Sequence, residues 1–364
     1  MVFYNKNIKK ILEADCIAIY GAGVMGKNLL NCLNSDVYNK KVDAFIVKDK
    51  QDNQDEIDGI KVIDVNQADK FKNKLVLVAL HEKYIYSAIS ELYKCGFEKL
   101  LPISFDSDLW TDLRGNWMRS KKIGFDKNTP IVEKIYNRSS IYVVHSNADK
   151  KLKVKGKKEC FEKEILVGAE YNNNNNNNYL YKDNTGDNIS YKNKEFCELT
   201  GLYWIWKNDA SEYVGLSHYR RKFVFLGENQ EELSPKVDVI LTVPIINLTT
   251  VKEQYAMDHS INDWNVMMEA IEKLYPNYYQ TAIQIGNGHY YYGYNMFITR
   301  REIFNNYCVW LFDILDYCEK KIENKNDNYQ RRYAGFLAER LLTIYFTYNC
   351  QYKIGIARKH FIES

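Results

Sequence analysis

Glu212-Tyr213-Val214-Gly215-Leu216-Ser217-His218-Tyr219-Arg220-Arg221 is the stretch whose reading decides the fold. Tyr213 to Leu216 has the β-branched and apolar composition of a short buried strand, and it runs directly into His218, Tyr219, Arg220 and Arg221. A polar, cationic cluster at the end of a buried strand is where α/β sheets carry ligand-binding groups. Two adjacent arginines offer planar donor forks to a diphosphate, which a lysine meets only as a point charge. Taken alone, Tyr-Arg-Arg is more simply a solvated strand end. Its surroundings shift that balance.

At 364 residues the chain exceeds one ordinary compact domain, so two domains are expected. With 46% hydrophobic and 14% aromatic residues it can bury sizeable cores, which argues against a disordered chain. Fifty Lys and Arg against 47 Asp and Glu leave a net charge of +3, no signature of a nucleic-acid binder. Anion binding must then come from local clusters. The amino terminus opens no long apolar run, and no stretch approaches the roughly 18 to 20 apolar residues of a membrane span, so a cytoplasmic protein is expected. Eight scattered cysteines without a C-x-x-C pair fit reduced core thiols better than zinc or disulfides.

In the first hundred residues Cys16 to Tyr20 reads as a strand, followed by Gly21-Ala22-Gly23-Val24-Met25-Gly26 and a helical segment from Lys27. That is G-x-G-x-x-G in strand, turn, helix context, where the glycines Gly21, Gly23 and Gly26 allow a tight turn and let a diphosphate approach the helix amino terminus. A second strand, Val42 to Val47, ends near Asp49, the candidate for ribose hydroxyls. Lys74 to Leu80, a helix around Ile85 to Tyr93, and Lys99 to Ile103 complete an alternation that predicts a small parallel sheet with helices on both faces. Residues 1–105 form this nucleotide-binding-type domain. They resemble the small Rossmann-like domain that precedes the hexapeptide repeats of bacterial sugar acyltransferases; no such repeats come after it here, so acyl transfer is not implied. Binding of a dinucleotide and a retained scaffold stand as equal readings of the turn.

Residues 106–138 read as a connector with some helix. Asp106-Ser107-Asp108 spells the D-x-D of metal-dependent glycosyltransferases, but it lies outside the predicted second sheet, and no metal site is assigned to it. Ser140 to His145 starts a new strand ending in a histidine; Lys150 to Lys158 is a basic loop, and Asn172 to Asn178 a low-complexity insert. Asp183, Thr185, Asp187 and Asn188 sit in a turn-rich segment ahead of a helix expected over Lys194 to Asn208. In that helix Phe196, Leu199, Tyr203 and Trp206 recur at core spacing. Asp187 and Asn188 could cap it or meet ligand hydroxyls. Gly286 to Asn295 is a glycine-flanked aromatic loop whose tyrosines either pack beneath the loop or stack on sugar rings and hydrogen-bond their hydroxyls; for the second reading, a sugar acceptor site, Tyr292, Tyr294 and Asn295 are the candidates. Glu302 to Glu323 and Tyr329 to Tyr348 read as closing helices.

T-G-D-N-I-S at 185 to 190, C-E-L-T-G-L-Y-W-x-W-K-N at 197 to 208, Y-V-G-L-S-H-Y-R-R at 213 to 221, Y-N-M-F-I at 294 to 298 and G-F-L-A-E-R-L-L at 335 to 342 occur in one ordered succession. In this succession residues 139–364 resemble a bacterial family of capsular and exopolysaccharide glycosyltransferases, long catalogued as a domain of unknown function, some of whose members transfer galactofuranose. The resemblance implies an α/β chain in which the Rossmann-like domain is followed by a GT-A-like glycosyltransferase domain with C-terminal helices. It implies transfer of a sugar from a nucleotide donor, UDP-linked first of all, to a hydroxyl of a lipid-linked glycan, with contact at the inner face of the membrane. Catalytic roles do not carry over and rest on chemistry. A departing diphosphate needs a metal or fixed cations, and His218, Tyr219, Arg220 and Arg221, with His145, Asp183, Thr185, Asp187 and Asn188, are the donor-site candidates. An inverting transfer needs one base, for which Glu339 and His289 rank ahead of Asp258; Glu339 reads equally as an ion-pair partner of Arg340 or Arg331. An oxidoreductase or epimerase using the glycine turn, and a non-catalytic sugar-nucleotide-binding scaffold, are the alternatives.

Overall fold

The computed structural model describes residues 3–363 except 52, 137, 155–157, 172–178, 226, 230–235 and 324; the asparagine tract and the middle of the 150–158 basic run lie outside the described residues. The chain divides into two compact units, Met1–Lys127 and Asn128–Ser364.

The first unit runs α1 (Lys6–Glu13), β1 (Ile17–Tyr20), α2 (Val24–Leu33), β2 (Ala44–Val47), β3 (Glu56–Ile57), β4 (Ile60–Asp64), β5 (Leu75–Ala79), α3 (Glu82–Lys94), β6 (Lys99–Ile103) and α4 (Asp108–Lys121). Its strands stand in the order β3-β4-β2-β1-β5-β6, all parallel except β3. The four-residue strands β1 and β2 are buried at every position, as parallel strands covered on both faces must be. The segment read as a connector is split: α4 belongs to the first unit, where Asn116 on it exchanges two hydrogen bonds with the Phe3 backbone (3.0 and 2.9 Å). Asp106-Ser107-Asp108 forms the start of α4, with Ser107 as the cap accepting from Trp110 N–H.

In the second unit, β7 (Lys134–Tyr136), β8 (Ser139–His145), β9 (Glu162–Leu166) and β10 (Tyr181–Lys182) lead to α5 (Asn193–Phe196), α6 (Leu199–Asn208), β11 (Tyr213–His218), β12 (Arg221–Val224) and β13 (Gly227–Asn229). Then come β14 (Val239–Thr242), β15 (Ile245–Ile246), α7 (Val251–Asp258), α8 (Ile261–Leu274), α9 (Tyr279–Asn287), β16 (Tyr290–Tyr291), β17 (Phe297–Arg300), α10 (Arg301–Lys321), α11 (Tyr333–Tyr348) and β18 (Ile354–Phe361). The sheet places β11 between parallel β8 and antiparallel β17, with β9 and β10 beyond β8, and β14 and β18 beyond β17. Val214 and Leu216 are wholly buried in it, and Tyr213 joins Ile141, Ile240 and Ile298 in one core cluster. Gly215 is required by the crossing with β17: a Cβ there would lie 2.6 Å from both Phe297 O and Ile298 Cγ1.

The helix expected over Lys194 to Asn208 is broken. Cys197, at φ 50° and ψ −126°, separates α5 from α6, and Asn193 Nδ2 spans the break by donating to Cys197 O and Thr200 Oγ1. Core spacing persists on both sides, so periodicity alone could not reveal a one-residue interruption. All eight cysteines are free thiols, but Cys95, Cys160 and Cys350 are exposed rather than in the core.

Candidate active site

Strands β8, β9 and β11 are parallel, so their carboxyl ends share one edge of the sheet. The chain beyond those ends lines a cleft of about 800 Å³: Ser146 and Asp149 after β8, Val167 after β9, and His218, Tyr219, Arg220 and Arg221 at the end of β11. Lys194, Arg331 and Arg332 face it from the helices, so five cations meet three carboxylates, Asp149, Glu198 and Glu339.

The arginines are held by aromatic faces. Arg220 lies 4.9 Å over the Phe361 ring, and its Nε is buried without a hydrogen-bond partner among the described residues. Arg221 lies 4.6 Å over Tyr294, a ring also approached at 5.1 Å by Lys359 Nζ. Arg332 rests 5.3 Å over Phe336 and donates from Nε to Cys197 Sγ (3.2 Å). A buried guanidinium donor without an acceptor is costly, and an anionic ligand would supply one.

Opposite them the backbone is strained. Tyr294 and Asn295 are consecutive non-glycine residues at φ 69° and 51°, a left-handed conformation that the surroundings must impose. His218 Nε2 donates to Tyr294 O (2.6 Å), Tyr294 N–H donates to Glu339 Oε1 (2.6 Å), and Asn295 Nδ2 donates to Glu198 Oε1 (2.7 Å) and Gly335 O (3.2 Å). Because a carbonyl only accepts, His218 carries its proton on Nε2. Burial holds that imidazole below its usual range, so it works as a neutral donor. Burial likewise raises the Glu339 carboxyl above its usual range, against the pull of Arg340, whose Nη1 binds Glu339 Oε2 at 2.8 Å. Of the two ion-pair partners weighed for Glu339, the one it meets is Arg340, which is itself stacked 4.2 Å over Tyr291.

The cleft thus gathers His218, Tyr219, Arg220, Arg221, Tyr294 and Glu339 among the residues singled out from sequence. His145 stands at its edge, its ring 5.8 Å from Tyr219 and Nδ1 3.5 Å from Asp149 Oδ2. Asn295 is buried behind it, holding Glu198. The remainder are elsewhere. Asp183 is fully buried and accepts from Gly168 N–H, Ala169 N–H, Ser190 Oγ and Thr200 Oγ1, an anchor for the turns on either side. Thr185 binds Trp204 Nε1, and Asp187 and Asn188 shape the turn against Asn208 and Tyr203. Tyr292 is buried with its N–H on Thr343 Oγ1. His289 is exposed, with Nδ1 at Thr249 O, and Asp258 is exposed at the end of α7. Asp149, Lys194, Glu198, Arg331 and Arg332 were not foreseen. Arg331-Arg332 is a second adjacent arginine pair, the same signal that marked Arg220-Arg221, and Glu198 lies inside the C-E-L-T motif.

In the first unit the order of strands reverses between β1 and β5, the usual place for a ligand crevice. Gly21 (φ +111°) and Gly26 are packing requirements, since added Cβ atoms would come within 2.6 Å of Ala79 O and 2.0 Å of Gly21 O. Gly23 faces open space. Asp49 Oδ1 accepts from Gln51 N–H within its own turn. A cleft of about 360 Å³ beside Gly21 is lined by Tyr20, Lys48, Tyr84 and Glu91, the lysine and glutamate paired at 2.9 Å. Among the described residues no cluster of His, Cys, Asp and Glu has the makings of a metal site, and no helix is long and apolar enough to cross a membrane.

Residues 141–350 match the family described as a domain of unknown function, DUF4422, and the chain belongs to that family. The structure is similar to the apo structure of WbbM, a bifunctional glycosyltransferase, with a TM-score of 0.56 and 28% sequence identity. The match covers 62% of this chain and 45% of that one, so this chain corresponds to less than half of WbbM. The chain is therefore an α/β protein with a Rossmann-like parallel sheet followed by a GT-A-like glycosyltransferase fold. No curated protein matches it.

Proposed function

We propose that this chain is a glycosyltransferase that moves a hexose from a nucleoside-diphosphate donor to a hydroxyl of a surface-polysaccharide acceptor, with inversion at the anomeric carbon. The observation that carries the reading is the buried Nε of Arg220, without a hydrogen-bond partner among the described residues, in a cleft of five cations at the carboxyl ends of β8, β9 and β11. Charge that builds on a leaving diphosphate is stabilised by fixed donors of this kind, and planar guanidinium forks fit its oxygens. Similarity to a bifunctional glycosyltransferase supports the same class. UDP-sugars, UDP-galactofuranose among them, are the first donors to try, and a lipid-linked glycan at the cytoplasmic face of the membrane is the acceptor that suits such chemistry. Tyr294 closes the acceptor side, and the base is drawn from the cleft carboxylates, among which Glu339 is the one sequence candidate present.

The test is to incubate the purified chain with a panel of sugar nucleotides and an acceptor glycan. Release of nucleoside diphosphate from one donor, with the sugar on the acceptor, is the expected result. Reduction of NAD, or binding of donors without turnover of any, would replace this reading with the oxidoreductase or the scaffold.

A further inference from the structure

The geometry points to Glu198 as the catalytic base that takes the proton of the acceptor hydroxyl, with Glu339 as the positioning residue that holds the Tyr294–Asn295 turn. This rests on the transferase reading above. Three carboxylates face one cleft and are committed differently. Asp149 accepts at Oδ1 from Ser146 Oγ (2.8 Å) and turns Oδ2 toward His145 Nδ1 (3.5 Å) at the cleft edge, so its open oxygen faces the histidine. Glu339 uses Oε1 on Tyr294 N–H and Oε2 on Arg340 Nη1, so both oxygens are already engaged by groups that hold it still. Glu198 accepts at Oε1 from Asn295 Nδ2, and no donor occupies Oε2 among the described residues.

Local backbone geometry explains the placement. Glu198 occupies the cap position of α6, where a side chain normally bonds the first helical N–H groups, yet it makes no such bond. The strained Cys197 ahead of it, at φ 50°, instead turns the carboxylate toward the cleft. Gly335 on α11 packs beside it, where a Cβ would make only ordinary van der Waals contact with Cys197 Cβ (3.6 Å) and Glu198 Oε1 (3.9 Å). Asn295, fully buried and held by Gly335 O, then fixes the Glu198 rotamer through Oε1 and leaves Oε2 for a substrate.

In the step itself, the acceptor oxygen bonds to the anomeric carbon as the bond from that carbon to the diphosphate oxygen breaks. The bonding pair leaves with the nucleoside diphosphate, whose charge the Arg220-Arg221 and Arg331-Arg332 pairs meet. The acceptor proton passes to Glu198 and then to solvent, so no oxidant, reductant or further reactant is needed.

The experiment compares the full chain with Glu198→Gln and Glu339→Gln, using the donor that the native protein turns over. Removing a base is expected to lower kcat by about 100-fold or more in Glu198→Gln and to abolish the acid limb of its pH profile. Its affinity for the nucleoside diphosphate, read by calorimetry, should stay within about twofold of native, which also shows that the variant folds. Formate should restore part of the rate to Glu198→Ala. Glu339→Gln should lose less and keep the acid limb. Native-like kcat in Glu198→Gln, or loss of the acid limb in Glu339→Gln instead, overturns the assignment while leaving the transferase reading intact. A native protein that transfers sugar from no donor overturns both.

Discussion

Arg220 lies over Phe361, while Arg221 lies over Tyr294 (4.6 Å) and also reaches Phe361 (5.6 Å), so the two neighbouring guanidinium groups share one aromatic support. Lysine at either position keeps the charge and loses the planar fork, and each Arg→Lys change should weaken nucleoside-diphosphate binding about tenfold, read by calorimetric titration. Asp183 makes a different demand. Removing a fully buried carboxylate that accepts four hydrogen bonds strands their donors, so Asp183→Ala should cost about 3 kcal/mol in urea unfolding, while exposed Thr185→Ala should cost under about 1 kcal/mol. His259 contributes to the acid response. It is enclosed by Tyr255, Tyr329 and Phe336, and burial, with Arg340, Lys325 and Arg332 nearby, holds its pKa at about 3. The native imidazole therefore binds a proton less readily than the unfolded one, whose pKa is near 6.5. Stability present above about pH 6.5 should fall as pH drops toward 3, and His259→Phe should flatten that fall between pH 7 and 5 in urea titrations.

β11 was legible because a strand buried on both faces has a continuous apolar run, and its cationic end marked the cleft. Its glycine is a packing requirement that a single sequence does not announce. Gly215→Ala would press a methyl onto the Phe297 carbonyl and Ile298, with β17 unable to move without leaving β14, and should lower stability by about 1–3 kcal/mol in denaturant unfolding. The break between α5 and α6 was not legible. Phe196 and Leu199 keep helical spacing across it, while the event that turns Glu198 into the cleft is one residue's φ and ψ. The tyrosine loop was legible as aromatic but not by depth: Tyr292 goes to the core, and Tyr294 reaches the cleft because the left-handed turn exposes it there. Asp187 and Asn188 illustrate the converse, residues that take part in the hydrogen bonds of the turn that carries them.

At the scale of the molecule, strand–helix alternation and the ordered motifs disclosed two α/β units, while the connector between them was resolved only by packing, with α4 in the first unit and β7 in the second. The proposed donor-binding groups all lie in Asn128–Ser364, so residues 128–364 expressed alone should bind the nucleoside diphosphate within about threefold of the whole chain. Loss of binding in that shorter chain, if it folds, would assign the first unit a part in donor recognition. The claim on which the rest depends is that fixed arginines, rather than a divalent ion, meet the leaving diphosphate. It is tested most directly by the rate of nucleoside-diphosphate release in EDTA, native against the Arg220→Lys, Arg221→Lys double variant. The native rate should survive chelation and the variant's should fall about 100-fold or more. Complete loss of native activity in EDTA, or a variant as fast as native, would contradict it.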